Sequence, residues 1–152
     1  EPFTLSIMLD ELSANKNHHI LATDLDRSIL AKARARGPYA PDDIRNVAAD
    51  QRAKYFDAGG PPWFVKESLA KKITFREHNL LMDPFEKNFD LIVCRNVIIY
   101  FTVEAKDTLY RKFQESLRPG GILFLGGTEI IPRPSEIGFA NLGGSFYQKE
   151  SR

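Results

Sequence analysis

The stretch 89–125 constrains the fold more than any other part of the chain. An apolar run at 89–94 (FDLIVC) precedes a helical period at 103–117, the turn Pro119-Gly120-Gly121, and a second apolar run at 122–125. An apolar run of this kind is typical of a strand that is buried on both faces. Strands that alternate with helices predict an α/β architecture with a mainly parallel sheet.

The remaining elements continue the alternation. Asp26 is a good helix N-cap by residue type, and it stands just before one of the predicted helices. The apolar spacing predicts helices at 3–12 and 28–36, and strands at 20–22, at 72–76 and at Phe146-Tyr147.

A long insertion interrupts this order between Gly37 and Ile73. The separation is 73 − 37 = 36 positions, whereas an αβ connection usually has about 2–6 residues. Aromatic residues flank a Gly/Pro-rich turn at 59–62. We therefore predict a small inserted subdomain at 38–71, with a hairpin in it.

Composition excludes several classes of protein. The 152 residues include 21 Lys and Arg against 20 Asp and Glu, a formal net charge of +1, which argues against a dedicated nucleic-acid binder. The single Cys94 excludes an intrachain disulfide and a multi-cysteine metal site, and no residue pattern indicates a metal. No apolar run is long enough to cross a bilayer. We therefore expect a soluble intracellular domain that is not inserted in a membrane.

Polar groups follow three of the predicted strands, at the ends where open parallel sheets bind ligands. Asp24 is suited to accept hydrogen bonds from a ribose diol, or else it caps a helix or lies in a loop. Asn79-Leu80 is suited to meet an adenine edge, or else forms an ordinary turn. Arg95-Asn96 is suited to contact a ligand, or else forms a structural ion pair. The residues alone predict an α/β domain that binds a nucleoside.

Four segments together resemble a known family. They are ATDLD at 22–26, Asn79-Leu80, CRNVIIYF at 94–101 and GGTE at 126–129, of which CRNVIIYF is the most specific. In this order, over nearly the whole chain, they resemble the catalytic domain of CheR-type chemoreceptor methyltransferases. The opening residues, EPFT, look like the tail of that family's GEEP-Y-S segment.

The resemblance implies a fold. It is the class I (Rossmann-like) sheet of methyltransferases dependent on S-adenosylmethionine, with a small inserted β-subdomain at 38–71. Residues 1–152 would form one catalytic domain, incomplete at its N-terminus, whose first strand and glycine loop are missing. In the class I sheet that strand is central, so its loss would leave two neighbouring strands with unpaired edges.

The resemblance also implies a function. The family transfers the methyl group of S-adenosylmethionine to glutamate side chains on the cytoplasmic part of bacterial chemoreceptors. The products are methyl esters, formed in chemotaxis adaptation, and S-adenosyl-L-homocysteine. The implied localisation is therefore cytoplasmic. Two alternatives stay open: a non-catalytic module that binds a receptor or another partner, and a class I methyltransferase with another substrate.

Roles for individual residues follow from the resemblance by position. Glu1 would meet the amino group of the methionine moiety, and Asp24 would bind the ribose hydroxyls. Asn79 and Leu80 would line the adenine pocket. The inserted segment corresponds to a subdomain that docks on a receptor's C-terminal tail in some members of the family.

Three more residues take roles in the same way. Arg95 and Asn96 would complete the cofactor site, and Tyr100 would face the transferred methyl group. The cofactor-binding residues should then converge at a common rim. Because the glycine loop is missing, we expect the chain alone to bind S-adenosylmethionine weakly or not at all, and micromolar binding in calorimetry would contradict this.

Overall fold

The computed structural model describes residues 1–13, 17–127 and 129–151, which alternate between helices and strands. The chain divides into two compact units, Glu1–Asn79 and Leu80–Arg152. The predicted α/β class with parallel strand pairs is confirmed.

The first unit contains one parallel strand pair with helices around it. Strands β1 and β2 pair in register from Ile20 opposite Ile73 to Asp24 opposite Glu77. Its elements are α1 (Pro2–Leu12), β1 (Ile20–Asp24), α2 (Arg27–Arg34), α3 (Ala49–Tyr55), α4 (Glu67–Ala70) and β2 (Ile73–Glu77). The predicted helices and strands of this unit are present, with ends shifted by one or two residues.

The second unit contains a four-stranded sheet in the order β3-β4-β6-β5. Strands β3 and β4 are parallel, and the other two pairs are antiparallel. Its elements are β3 (Phe89–Val93), α5 (Val103–Ser116), β4 (Leu117–Phe124), β5 (Phe139–Gly143) and β6 (Phe146–Lys149). The sequence prediction missed β5, which turns into β6 through Gly143 and Gly144, both at positive φ.

Helix α5 begins and packs as its sequence predicts. The Thr102 hydroxyl caps it by accepting a hydrogen bond from the Ala105 amide at 3.3 Å. Its apolar positions face the core of the second unit, where Leu109 and Phe113 are almost fully buried beside Leu123 of β4. Burial of one such side chain contributes about 1.5–3 kcal/mol, so packing rather than helix propensity holds α5 in place.

Two details of the strand prediction were wrong. Strand β3 is not buried on both faces: Leu91 and Val93, on one face, are 37% and 38% exposed, while Cys94 just beyond its end is buried. The strand lies at the edge of its sheet, and only one of its faces is covered by the core. The turn Pro119-Gly120-Gly121 also lies within β4 instead of before it, where Gly120 adopts a φ of +75°.

Two of the strands that lead to predicted site residues, β1 and β3, lie at the edge of a sheet. Strand β1 has only β2 beside it, and β3 has only β4, among the residues that the structure describes.

The inserted segment is built around aromatic side chains. Between positions 38 and 71 it contains a 3-10 helix (Pro41–Ile44), α3 and α4, and its β structure consists of two isolated antiparallel bridges. These bridges join Tyr39 to Trp63 and Phe56 to Val65 on either side of the Gly/Pro turn. The arrangement is hairpin-like without a continuous ladder.

Candidate functional site

The carboxyl ends of β1 and β2 bring two predicted site residues to one edge of the first unit. Asp24 and Glu77 are the last partners in the strand register. The His78 amide then donates a hydrogen bond to the Asp24 carbonyl at 3.0 Å. Asn79 follows directly, so Asp24 and Asn79 lie beyond the ends of adjacent strands. We call this region the first edge.

The Asp24 carboxylate is exposed and partly engaged. Its Oδ1 accepts a hydrogen bond from the Asp26 amide at 2.9 Å, while Oδ2 accepts none from the described residues. The helix cap is Asp26: its Oδ1 accepts from the Ser28 amide at 2.7 Å and from the Ile29 amide at 3.3 Å. Asp24 is therefore not the cap, and its outward oxygen is left available to accept from a hydroxyl group.

The first edge carries an ion pair beside the carboxylates of Asp24 and Asp26. The hydrogen bonds from Ser28 hold the pKa of Asp26 below its usual range. Arg27 donates to Glu77 at 2.7 Å, and this contact raises the pKa of Arg27. Both partners are exposed, so the pair contributes little to stability.

The carboxyl ends of β3 and β4 form a second edge. Val93 pairs with Phe124, and the Cys94 amide donates to the Phe124 carbonyl at 2.9 Å. Arg95 follows β3, and its stem lies over Gly126, where a Cβ atom would stand 3.2 Å from the Arg95 Cγ. With a φ of +86°, Gly126 supplies both the backbone turn and the space for this side chain.

The segment after Arg95 changes direction at Asn96 and presents Tyr100. Asn96 has a φ of +56°, a left-handed conformation that asparagine tolerates better than most residues. Ile98 is fully buried, whereas Tyr100 is 80% exposed at the end of a 3-10 helix spanning Ile98–Tyr100. The buried isoleucine anchors a turn whose aromatic ring points into solvent.

Two predicted residues lie elsewhere in their units. Glu1 is exposed and precedes α1, where its carbonyl accepts a hydrogen bond from the Leu5 amide at 3.0 Å. Leu80 packs partly buried against the core of the second unit. Of the GGTE motif, Thr128 lies outside the described residues.

A concavity of about 540 Å³ lies in the inserted segment and includes none of the predicted site residues. Arg52 stands over the Trp63 ring at 5.5 Å, and both line the concavity. Gly60 allows this packing, because a Cβ there would meet the indole at 2.4 Å. The concavity is a feature of the insertion and separate from both strand edges in sequence.

Sequence reasoning missed two supporting contacts of the second unit, one at the second edge and one at Leu80. Gly126 was singled out only as part of a motif, and Lys112, which contacts the Leu80 carbonyl, was not singled out at all. Each acts on a residue about thirty positions away, and no local pattern signals such a pairing. Within the described ranges, no group of histidine, cysteine and carboxylate side chains could hold a metal, and no helix is long and apolar enough to cross a membrane.

Comparison with known proteins identifies the family. Residues 1–146 match the family model described as CheR methyltransferase, SAM binding domain. The chain belongs to the CheR methyltransferase family. This confirms the resemblance stated from the four segments, and S-adenosylmethionine is the cofactor of the domain that the family model describes.

Chemotaxis methyltransferases of two bacteria also match most of the chain. The chain is 44% identical over 149 residues to a chemotaxis protein methyltransferase of Listeria monocytogenes, covering 98% of this chain and 56% of the relative. It is 38% identical over 141 residues to chemotaxis protein methyltransferase 1 of Pseudomonas aeruginosa, covering 86% and 51%. The chain therefore spans about half the length of these curated relatives.

Proposed function

We propose that this CheR-family chain is the cofactor-binding part of a protein-glutamate O-methyltransferase that acts on the cytoplasmic domain of bacterial chemoreceptors. The reaction then takes place in the cytoplasm. The observation that supports this most directly is the first edge, where an exposed carboxylate and an amide lie beyond adjacent parallel strands in a chain of this family.

The side chains present fit the chemistry of S-adenosylmethionine. The outward oxygen of Asp24 is a suitable acceptor for ribose hydroxyl groups, and Asn79 offers both a donor and an acceptor for adenine. Leu80 would add an apolar contact to the base. These assignments, with Glu1 toward the methionine amino group, rest on position in the family motifs.

Arg95 and Asn96 at the second edge take cofactor-binding roles by their position in the family motifs. Arg95 carries a fixed planar set of donors suited to a carboxylate, and Asn96 adds an amide. Tyr100 is exposed, and the buried Ile98 in the same 3-10 helix holds it in place. Its side chain is suited to contact the receptor glutamate or the transferred methyl group.

The chemistry requires positioning more than proton transfer. S-adenosylmethionine, when bound, supplies a methyl group on a positively charged sulfur. A glutamate side chain has a pKa near 4.3, so the accepting carboxylate is already ionised at neutral pH and needs no general base. The protein's task is to align the two reactants and to exclude water; alignment alone can supply about 7–11 kcal/mol. A strong donor to the accepting oxygen would slow attack, so we assign Tyr100 a positioning role.

Methylation of a receptor fragment tests the function. The whole protein is incubated with tritiated S-adenosylmethionine and a receptor cytoplasmic fragment. Label that alkali releases as methanol identifies a methyl ester. We expect such label from the wild type, because esters hydrolyse in base whereas N-methyl groups do not.

Asp24→Ala tests the site in the same assay. We expect the KM for S-adenosylmethionine to rise about tenfold or more, since a ribose contact is lost, with a smaller change in kcat. Asp90→Ala is the matched control, because Asp90 lies near the start of β3 and its carboxylate pairs with Arg118 at 2.5 Å. No label would favour a non-catalytic module, alkali-stable label would favour another acceptor, and equal KM values would remove Asp24 from the site.

A further inference from the structure

One lysine of α5 is bonded to three backbone carbonyls of a single short segment. The Lys112 Nζ donates to the carbonyl oxygens of Leu80 at 3.1 Å, Leu81 at 2.9 Å and Asp83 at 3.2 Å. An ammonium group has three donors, so all three are directed at this segment. We call it the 80–83 segment.

The lysine stands on a rigid support. On α5, Phe113 is almost fully buried next to Lys112 in sequence, and its ring lies 5.6 Å from that of Phe85. The Lys112 ammonium stands 5.2 Å from the centroid of the same Phe85 ring. The stretch 80–85 is thus held to α5 in two ways. Lys112 bonds to its backbone at 80–83, and Phe85 packs against Phe113.

The 80–83 segment needs such a support. It is a turn, neither helix nor strand, so its backbone lacks the repeated hydrogen bonds that fix the conformation of a helix or a sheet. Backbone groups without regular partners bond to water or to side chains. A charged donor makes stronger hydrogen bonds than water does, so Lys112 favours one backbone conformation of the segment over the many that water would allow.

We propose that Lys112 is a positioning residue for the nucleoside: it fixes the backbone at Leu80 in the conformation that recognises adenine. This inference rests on the proposed function, in which Leu80 lines the adenine pocket. Lys112 acts through the backbone and does not itself touch the cofactor.

Base discrimination tests the proposal. The probes are S-adenosyl-L-homocysteine and its inosyl analogue, in which oxygen replaces the 6-amino group of adenine. We measure the dissociation constant of each for the whole protein by calorimetry. The wild type should prefer the adenosyl compound by about tenfold or more, because the analogue leaves hydrogen-bonding groups of the site unpaired.

Lys112→Met should reduce this preference by about fivefold, since the side chain keeps its length and loses its donors. A fall in the folded fraction would weaken both ligands by the same factor, so the ratio responds to adenine recognition and not to stability. Lys66→Met is the matched control: Lys66 donates to the carbonyls of Ala53 at 2.9 Å and Lys54 at 3.0 Å in the inserted segment.

Each outcome decides the question. An unchanged ratio in Lys112→Met, an equal loss in Lys66→Met, or no preference in the wild type would overturn the role of Lys112. If the Met variant does not fold, Lys112→Gln takes its place, and it should show a partial loss. Failure of the proposed function is distinguishable, because the receptor assay would then give no alkali-labile label, whatever the ratio in Lys112→Met.

Discussion

The two strand edges carry similar polar groups and are built in different ways. At the first edge, the carboxylates of Asp24 and Asp26 accept hydrogen bonds from amides two or three positions away. The longer-range bonds of this edge, His78 to Asp24 and Arg27 to Glu77, follow the pairing of β1 with β2. At the second edge, Arg95 lies on Gly126, and elsewhere in the same unit Leu80 is bonded to Lys112; both contacts span about thirty positions. The first edge should therefore respond to charge and pH, and the second to packing and backbone shape.

The largest effect should come from the apolar anchor of the second edge. Ile98→Ala should lower the free energy of unfolding by about 2–5 kcal/mol, because a fully buried side chain leaves a cavity. Ile99→Ala is the matched control in the same 3-10 helix, with a side chain 49% exposed; it should cost less than about 1 kcal/mol. Urea unfolding measures both, and equal losses would contradict the view that packing holds this edge.

The next effect concerns Tyr100 at the tip of that turn. Tyr100→Phe in the whole protein should lower kcat for receptor methylation about three- to tenfold, the loss of one positioning hydrogen bond. The affinity for S-adenosylmethionine should stay nearly constant. An unchanged kcat would remove Tyr100 from the mechanism.

A glycine pair separates backbone strain from side-chain placement at the second edge. Gly126→Ala and Gly120→Ala both force alanine into positive φ, +86° and +75°. Only the first new Cβ meets Arg95, at 3.2 Å, whereas the second meets nothing closer than 4.0 Å. We expect a several-fold weaker affinity for S-adenosyl-L-homocysteine in Gly126→Ala alone. In a protein that already carries Arg95→Ala, the Gly126→Ala change should no longer weaken this affinity. If it still does, Gly126 does not act through Arg95.

The smallest effect should come from the cap at the first edge. The folded chain holds the pKa of Asp26 below its usual 3.8, so its carboxylate stabilises the fold above that pH and loses this contribution as pH falls through the lowered pKa. Asp26→Ala should therefore lower Tm at neutral pH, and its deficit should shrink below pH 3.8. Asp26→Asn keeps an acceptor and should show a smaller deficit at neutral pH. Thermal scans across this range measure both, and a constant deficit for Asp26→Ala would refute the assignment.

The contrast between the edges also explains how far sequence reasoning reached. The Asp26 cap and the helix at 103–116 follow from residues close in sequence, and both are present as predicted. Strand β5 was missed because its polar, glycine-containing sequence becomes a strand only by pairing with β6. The burial of β3 was overestimated because the sequence does not reveal an edge position.

The candidate site divides in the same way. The position of Asp24 and Asn79 beyond the ends of adjacent strands could be predicted, because the apolar runs before them mark parallel strands. Lys112 and Gly126 could not, because their contacts with Leu80 and Arg95 depend on how α5 and β4 pack. The roles of all the candidate site residues stay predictions from the family motifs: Glu1, Asp24, Asn79, Leu80, Arg95, Asn96 and Tyr100.

The open sides of β1 and β3 have a consequence for handling the chain in solution. Each exposes a row of backbone amides and carbonyls that no strand of the described residues occupies. Such rows recruit strands from other molecules, and on β3 the half-exposed Leu91 and Val93 add apolar surface beside them. Light scattering from this chain by itself should therefore climb with concentration while its circular dichroism retains the signature of helix and sheet.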